Sequence, residues 1–192
     1  MKVAIIKYNA GNVQSVLNAL DRLNVSAIVT NETEEIKSAD KVIFPGVGEA
    51  KSAMNFLQAS GIDHVIRQLK QPFLGICLGM QLLCEHSEEN DTKCLGIFPL
   101  KVKKFTGEKV PQMGWNTVEE CLNPLYNGFD KQPYFYFVHS YYAELGKETA
   151  SVTEYGVRFS SALQKDNFYG VQFHAEKSGK DGEQLIKNFL DL

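Results

Sequence analysis

The sequence predicts an α/β fold: an open, mostly parallel sheet with helices on both faces and antiparallel additions in the C-terminal half. Three observations predict it. Apolar strand-like runs alternate with helical spacing in the first half of the chain, extended segments take over after about residue 94, and 192 residues without a linker, repeat or low-complexity stretch fit one domain.

The elements follow in order. Val3 to Tyr8 reads as a buried strand, Asn9 to Asn12 as a loop, and Val13, Val16, Leu17, Leu20 and Leu23 recur at helical spacing. Val25 to Thr30 repeats the strand, Glu32 to Lys37 a short helix, and Lys41 to Pro45 a third strand running into Gly46-Val47-Gly48 and another helix. Pro72 to Ile76 is a short buried strand, while Met80, Leu82 and Leu83 begin a helix, which leaves Cys77 on the turn between them. Such alternation pairs strands in parallel, because each helix carries the chain back to the same end of the sheet. Further on, Leu100–Phe105, Asn116–Glu119, Tyr134–Tyr142, Ala150–Tyr155 and Phe159–Gln164 are extended and read as antiparallel additions to that sheet. Phe168 to Phe173 alternates like a strand, and Leu185, Ile186, Phe189 and Leu190 form the inward stripe of a last helix.

Composition narrows the function classes. A formal net charge of -3 and a pI near 5.8, with no basic run, give no reason to expect a nucleic-acid or membrane partner. The Lys101, Lys103 and Lys104 cluster reads as a solvated strand face. The N-terminus is apolar only from Val3 to Ile6 and carries no leader-like stretch, so a cytoplasmic protein is expected, with Cys77, Cys84, Cys94 and Cys121 as thiols. No C-x-x-C pair occurs and the four histidines are scattered, so neither metal nor cofactor is expected. Pro45 to Gly48 is too short for a phosphate-binding loop.

The chemistry concentrates in Gly75-Ile76-Cys77-Leu78-Gly79-Met80-Gln81 and in Gly170-Val171-Gln172-Phe173-His174-Ala175-Glu176. A cysteine on a strand-to-helix turn between glycines is the thiol analogue of a nucleophile elbow, with the following N–H, that of Leu78, aimed at a developing oxyanion. A thiol is mostly protonated at neutral pH, so it needs a base; His174 can be that base. Glu176 lies two residues on, hence on the same side if the chain stays extended, where it can orient the imidazole. Gly46-Val47-Gly48, at another strand end, can present a second N–H to the oxyanion. Cys84, Cys94 and Cys121 read as small buried hydrophobes, His64 and His86 as surface residues, and His139 is a candidate for contact with substrate or partner.

Those two motifs resemble the class I glutamine amidotransferases, and the likeness runs from Val3 to the last helix. Val110-Pro111-Gln112-Met113-Gly114-Trp115-Asn116, Tyr134–Tyr142 and Glu176-Lys177-Ser178 are similar to one branch, the glutaminase subunits of imidazole glycerol phosphate synthase. The resemblance implies a flavodoxin-like sheet in a single amidotransferase domain over 1–192. It also implies hydrolysis of L-glutamine to L-glutamate and ammonia: Cys77 attacks the carboxamide, His174 moves the proton and Glu176 orients it. Gly46, Val47 and Gly48 match the family's oxyanion strand, whose Gly46–Val47 peptide must rearrange to point its N–H inward. Leu78, Gln81, Ser140 and Tyr141 match substrate-contacting positions.

No second constellation offers an acceptor for ammonia, so a separate synthase is expected. The resemblance implies a heterodimer with a HisF-type (β/α)8-barrel cyclase, which makes imidazole glycerol phosphate and an aminoimidazole carboxamide ribotide in L-histidine biosynthesis. Asn12, Trp115, Tyr136 and Lys177 match positions at that interface. Gln112 stands where the branch usually has histidine, and Tyr8-Asn9-Ala10-Gly11-Asn12 differs from its usual opening. These departures leave room for a paralogue that feeds a sugar amidotransferase in surface-polysaccharide synthesis; a catalytically silent interaction subunit is the remaining alternative.

Overall fold

The computed structural model describes residues 1–9 and 12–192; the middle of the expected Asn9–Asn12 loop lies outside them. Parallel strands β1 (Val3–Ile6), β2 (Ala27–Thr30), β3 (Lys41–Phe44) and β4 (Phe73–Ile76) form one half of the sheet in the order β2-β1-β3-β4. They alternate with α1 (Val13–Arg22), α2 (Thr33–Lys37), α3 (Ala50–Ser60) and α4 (Ile62–Gln68), and α5 (Leu78–Leu83) follows β4. Strands β1, β3 and β4 are buried throughout, as continuous apolar runs covered by helices on both faces must be. The expected helix after Gly48 is two, because Gly61, at a φ of 72°, ends α3 and caps the start of α4.

The second half contains β5 (His86–Ser87), β6 (Thr92–Lys93), β7 (Lys101–Lys104), β8 (Gln112–Thr117), β9 (Tyr134–His139), β10 (Tyr141–Ala143), β11 (Thr149–Tyr155), β12 (Val157–Lys165) and β13 (Phe168–Val171), then α6 (Gly179–Leu190). Strand β13 joins β4 in parallel, and β12, β10, β7, β5 and β6 continue outward, with β11 paired to β12. The register sets Gly170 beside Gly75 and Val171 beside Ile76, so the ends of the two sequence motifs lie next to each other.

Two expectations are corrected. Most of the segments predicted at Asn116–Glu119 and Tyr134–Tyr142 does not extend the main sheet: β8, which begins earlier at Gln112, and β9 form a separate two-stranded ribbon, and only Glu119, bridged to Val152, and Tyr141–Tyr142, in β10, reach it. Its alternation explains this, because Phe135, Phe137 and His139 turn into the core while Met113, Trp115 and Tyr134 stay exposed. The chain then breaks at Ser140, so β9 and β10 belong to different sheets. The short hairpin β5–β6 has no sequence pattern to announce it.

The sheet separates two packed layers. Phe44, Phe73, Met54, Leu57 and Ile66 fill the side under α3, α4 and α5. Ile43, Leu74, Leu20, Leu185 and Phe189 fill the side under α1 and α6, where Phe135 and Phe173 stack at 3.9 Å. No helix among the described residues is long and apolar enough to cross a membrane.

Candidate active site

Cys77 occupies the turn from β4 to α5 with φ 54° and ψ -111°, a conformation that L side chains rarely adopt. Holding a non-glycine residue there costs on the order of 1–3 kcal/mol, and the surroundings enforce it. Cys77 N donates to Val171 O at 2.7 Å, and Cys77 O accepts from Gln81 N at 3.1 Å. The flanking glycines do not supply the unusual backbone of the turn. Neither Gly75 nor Gly79 has a positive φ; both allow close approach. A Cβ on Gly79 would strike the Phe44 carbonyl oxygen, and one on Gly75 would come within 2.8 Å of the Gly79 backbone. Glycine therefore draws α5 onto the sheet, and the cysteine itself takes the strain.

His174 enters the site from the end of β13. Its N–H donates to Tyr136 O at 2.9 Å, which ties it to the ribbon. The chain does not stay extended beyond it: Ala175–Lys177 form a single 3-10 turn, and that turn brings Glu176 back beneath the imidazole. His174 Nδ1 and Glu176 Oε1 are 2.7 Å apart, with 1% of each side chain exposed. A carboxylate can only accept, so Nδ1 carries a proton and Nε2 is the nitrogen left to face Cys77. Burial works to lower the pKa of His174, but Cys77 and Glu176 outweigh it and raise the pKa to about 10. The ring therefore remains an imidazolium at neutral pH.

The sulfur opens into a cavity of about 320 Å3, lined among others by Val47, Gly48, Leu78, Gln81, Glu89 and Ser140. That is the low end for a small-ligand site and suits one amino acid. Tyr141, His139 and His174 complete the wall. Gly46 lies behind it, and its carbonyl accepts from Leu78 N at 3.4 Å. The N–H expected to serve the oxyanion is thus occupied by the strand expected to help it. Gln81 is buried, and its amide protons go to Tyr141 O at 2.8 Å and Gln172 Oε1 at 2.9 Å, leaving its own oxygen for a ligand.

Three site residues escaped the sequence reading. Glu89, half-buried, accepts from Ala50 N at 2.8 Å and turns its carboxylate toward the cavity; burial raises its pKa. Nothing in its polar surroundings distinguishes it from a solvated acid. Gln172, fully buried just past β13, donates to Cys77 Sγ at 3.6 Å, and a lone glutamine in the apolar run Phe168–Phe173 was the available signal. Gln112 packs against His139, which lines the cavity. Cys84 and Cys94 are buried thiols, whereas Cys121 is only half-buried.

The four residues expected at an interface gather around one end of the molecule. Trp115 pairs in register with Tyr136, Lys177 is exposed on the 3-10 turn beside it, and Asn12 precedes α1, which packs against that turn. Trp115, 47% exposed, stacks on Tyr134 with ring centroids 5.5 Å apart.

The model of the glutamine amidotransferase class-I family matches residues 4–192. The chain belongs to that family. This class-I amidotransferase is 58% identical to imidazole glycerol phosphate synthase subunit HisH of Bacteroides fragilis, covering all of both chains. It is 46% identical to the HisH subunit of Idiomarina loihiensis, covering all of this chain and 98% of that one. A crystal structure of a glutamine amidotransferase, only 18% identical, shares the fold with a TM-score of 0.78 over 98% of this chain and 97% of that one.

Proposed function

We propose that the chain is the glutaminase subunit of an imidazole glycerol phosphate synthase, hydrolysing L-glutamine to L-glutamate and delivering ammonia to a HisF-type (β/α)8-barrel cyclase in L-histidine biosynthesis. The observation that carries the chemistry is the buried His174–Glu176 pair whose free nitrogen faces Cys77 at the floor of an amino-acid-sized cavity. Similarity to HisH subunits over the full chain supports the pathway.

In this reading the glutamine α-ammonium meets Glu89 and the Gln81 oxygen, and the side-chain amide reaches Cys77. The thiolate attacks the amide carbon, and negative charge moves to its oxygen. His174 gives its Nε2 proton to the departing nitrogen, the C–N bond breaks, and a glutamyl thioester remains. Water then attacks, His174 takes its proton, and the C–S bond breaks to release glutamate. Throughout, Glu176 accepts from Nδ1 and keeps Nε2 turned to the sulfur. Leu78 N–H can stabilise the oxyanion only after leaving Gly46 O, so the Gly46–Val47 peptide must turn before the chemistry runs at full speed. A partner seated on Asn12, Trp115, Tyr136 and Lys177 would contact the elements adjoining the site and is the agent proposed for that turn.

The test is partner dependence. Purified chain alone should hydrolyse glutamine slowly, rise steeply in rate when the HisF-type cyclase and its nucleotide ligand are added, and lose all activity as Cys77→Ala. Full activity in the free chain with no response to the cyclase would assign it to another synthase, such as a sugar amidotransferase. No activity with any partner would make it an interaction subunit.

A further inference from the structure

One chain of buried hydrogen bonds runs from the outer ribbon to the sulfur. Its polarity is fixed by a single group, the Tyr141 carbonyl, which can only accept. That oxygen is met from one side by Gln81 Nε2 at 2.8 Å and from the other by His139 Nδ1 at 2.7 Å. On the inner side, the NH2 of Gln81 also donates to Gln172 Oε1, so the Gln172 NH2 is left pointing at Cys77 Sγ, 3.6 Å away. On the outer side, His139 must carry its proton on Nδ1. Burial holds its pKa down to about 4, so Nε2 is an acceptor. The Gln112 amide oxygen stands 2.8 Å from Nε2, and two acceptors cannot bond; the amide is turned end for end, its NH2 to the ring.

Neither Gln172 nor Gln112 has a part in the triad, yet both are almost fully buried and satisfied only by this chain. We propose that Gln172 is a positioning residue that donates a hydrogen bond to the Cys77 sulfur. Gln81, Tyr141, His139 and Gln112 hold its amide in the donating orientation. The inference rests on Cys77 being the nucleophile. A thiol can give its proton to Val138 O, 3.8 Å away, but a thiolate cannot, and Gln172 N–H is then the neutral donor on hand. A donor to a charged acceptor contributes more than one to a neutral acceptor, so the contact favours the reactive form. It also ties the thiolate to β8, the strand that carries Trp115.

The experiment is the rate of Cys77 alkylation by iodoacetamide at neutral pH in the full chain, read by mass spectrometry of the Cys77 peptide. This reaction needs no bound glutamine. Gln172→Met should lower the rate about tenfold, and Gln172→Glu, which sets a second anion against the sulfur, should lower it further. Gln112→Met should lower it by a smaller factor, whereas Gln112→His, which can still donate to Nε2, should restore the parent rate. Parent-like alkylation in Gln172→Met would overturn the proposal. If that variant does not fold, equal rates in Gln112→Met and Gln112→His overturn it instead. Failure of the glutaminase reading would look different: the alkylation series would hold while the parent chain hydrolysed no glutamine with any partner.

Discussion

The amide of Cys77 and the carbonyl of Val171 are joined by a 2.7 Å hydrogen bond across neighbouring parallel strands. Residues 94 positions apart in the chain are thereby locked side by side, and Cys77 and the histidine three residues past Val171 inherit that register. The geometry depends on how closely α5 can approach the sheet, and Gly79 sets that distance. Gly79→Ala would drive a Cβ into the Phe44 carbonyl oxygen, a backbone atom with no rotamer to escape through. The expected loss is about 1–3 kcal/mol of stability, read by urea denaturation, together with loss of glutaminase activity in whatever fraction remains folded. A variant as stable as the parent would mean that the elbow has slack.

The pH dependence follows from His174. Its pKa is raised, so the charged ring persists to about pH 10. A step that needs the imidazolium to protonate the departing amine should run undiminished up to that point and fall as pH rises through it. Glu176 is one of the two groups that hold the proton in place. Glu176→Gln should therefore shift the alkaline limb of kcat/KM to lower pH and reduce kcat by about 10²–10⁴-fold, as loss of the orienting carboxylate does in other triads. An unmoved limb in the assembled enzyme would show that some other group titrates there.

Much of this was legible in the sequence, for identifiable reasons. The alternation of buried strands and amphipathic helices gave β1 to β4 and α1, and the glycine-framed cysteine marked its own turn, because each signal is local. The placement of Glu176 was anticipated by a mistaken route: an extended chain would also put it on the side of His174, but a 3-10 turn does so in fact. What stayed hidden depends on long-range pairing. Nothing near Gln112 says that it will meet His139, 27 residues later, and nothing near Glu89 says that the N-terminus of α3 will hold its carboxylate at the cavity. The separation of β9 from β10 at Ser140 was equally invisible, since both halves are aromatic and extended.

Gln112→Glu would test the charge state of His139. From β8 the ring meets Gln112, from β10 the Tyr141 carbonyl, and beyond β13 the titratable group that acts on it is His174; Phe105, Phe137 and Phe159 close the remaining sides. A carboxylate at 112 can only accept from Nε2, so both ring nitrogens would have to donate and the His139 pKa should rise from about 4. Because the raised pKa favours the charged ring at lower pH, a new positive charge would appear beside His174 as pH falls. The acid limb of glutaminase activity should move to higher pH than the parent's, and NMR titration of the His139 Cε1 proton should move with it. An acid limb identical to the parent's would show that the ring stays neutral.

The exposed stack of Trp115 on Tyr134 makes the final prediction. The ribbon turns Met113, Trp115 and Tyr134 outward, at 66%, 47% and 48% exposure, while its other face supplies Phe135 and Phe137 to the core. Truncating the outer face should therefore leave the fold intact: Trp115→Ala forfeits one aromatic pair, about 0.5–1.5 kcal/mol. If this face receives the cyclase, the same change removes a large rigid anchor, and such anchors carry about 2 kcal/mol or more of binding. Titration calorimetry should then show affinity for the HisF-type partner falling at least about thirtyfold. The low activity of the free chain, which does not involve this face, should stay unchanged. Undiminished affinity in Trp115→Ala would move the interface away from the ribbon, and with it the proposed route from partner to nucleophile.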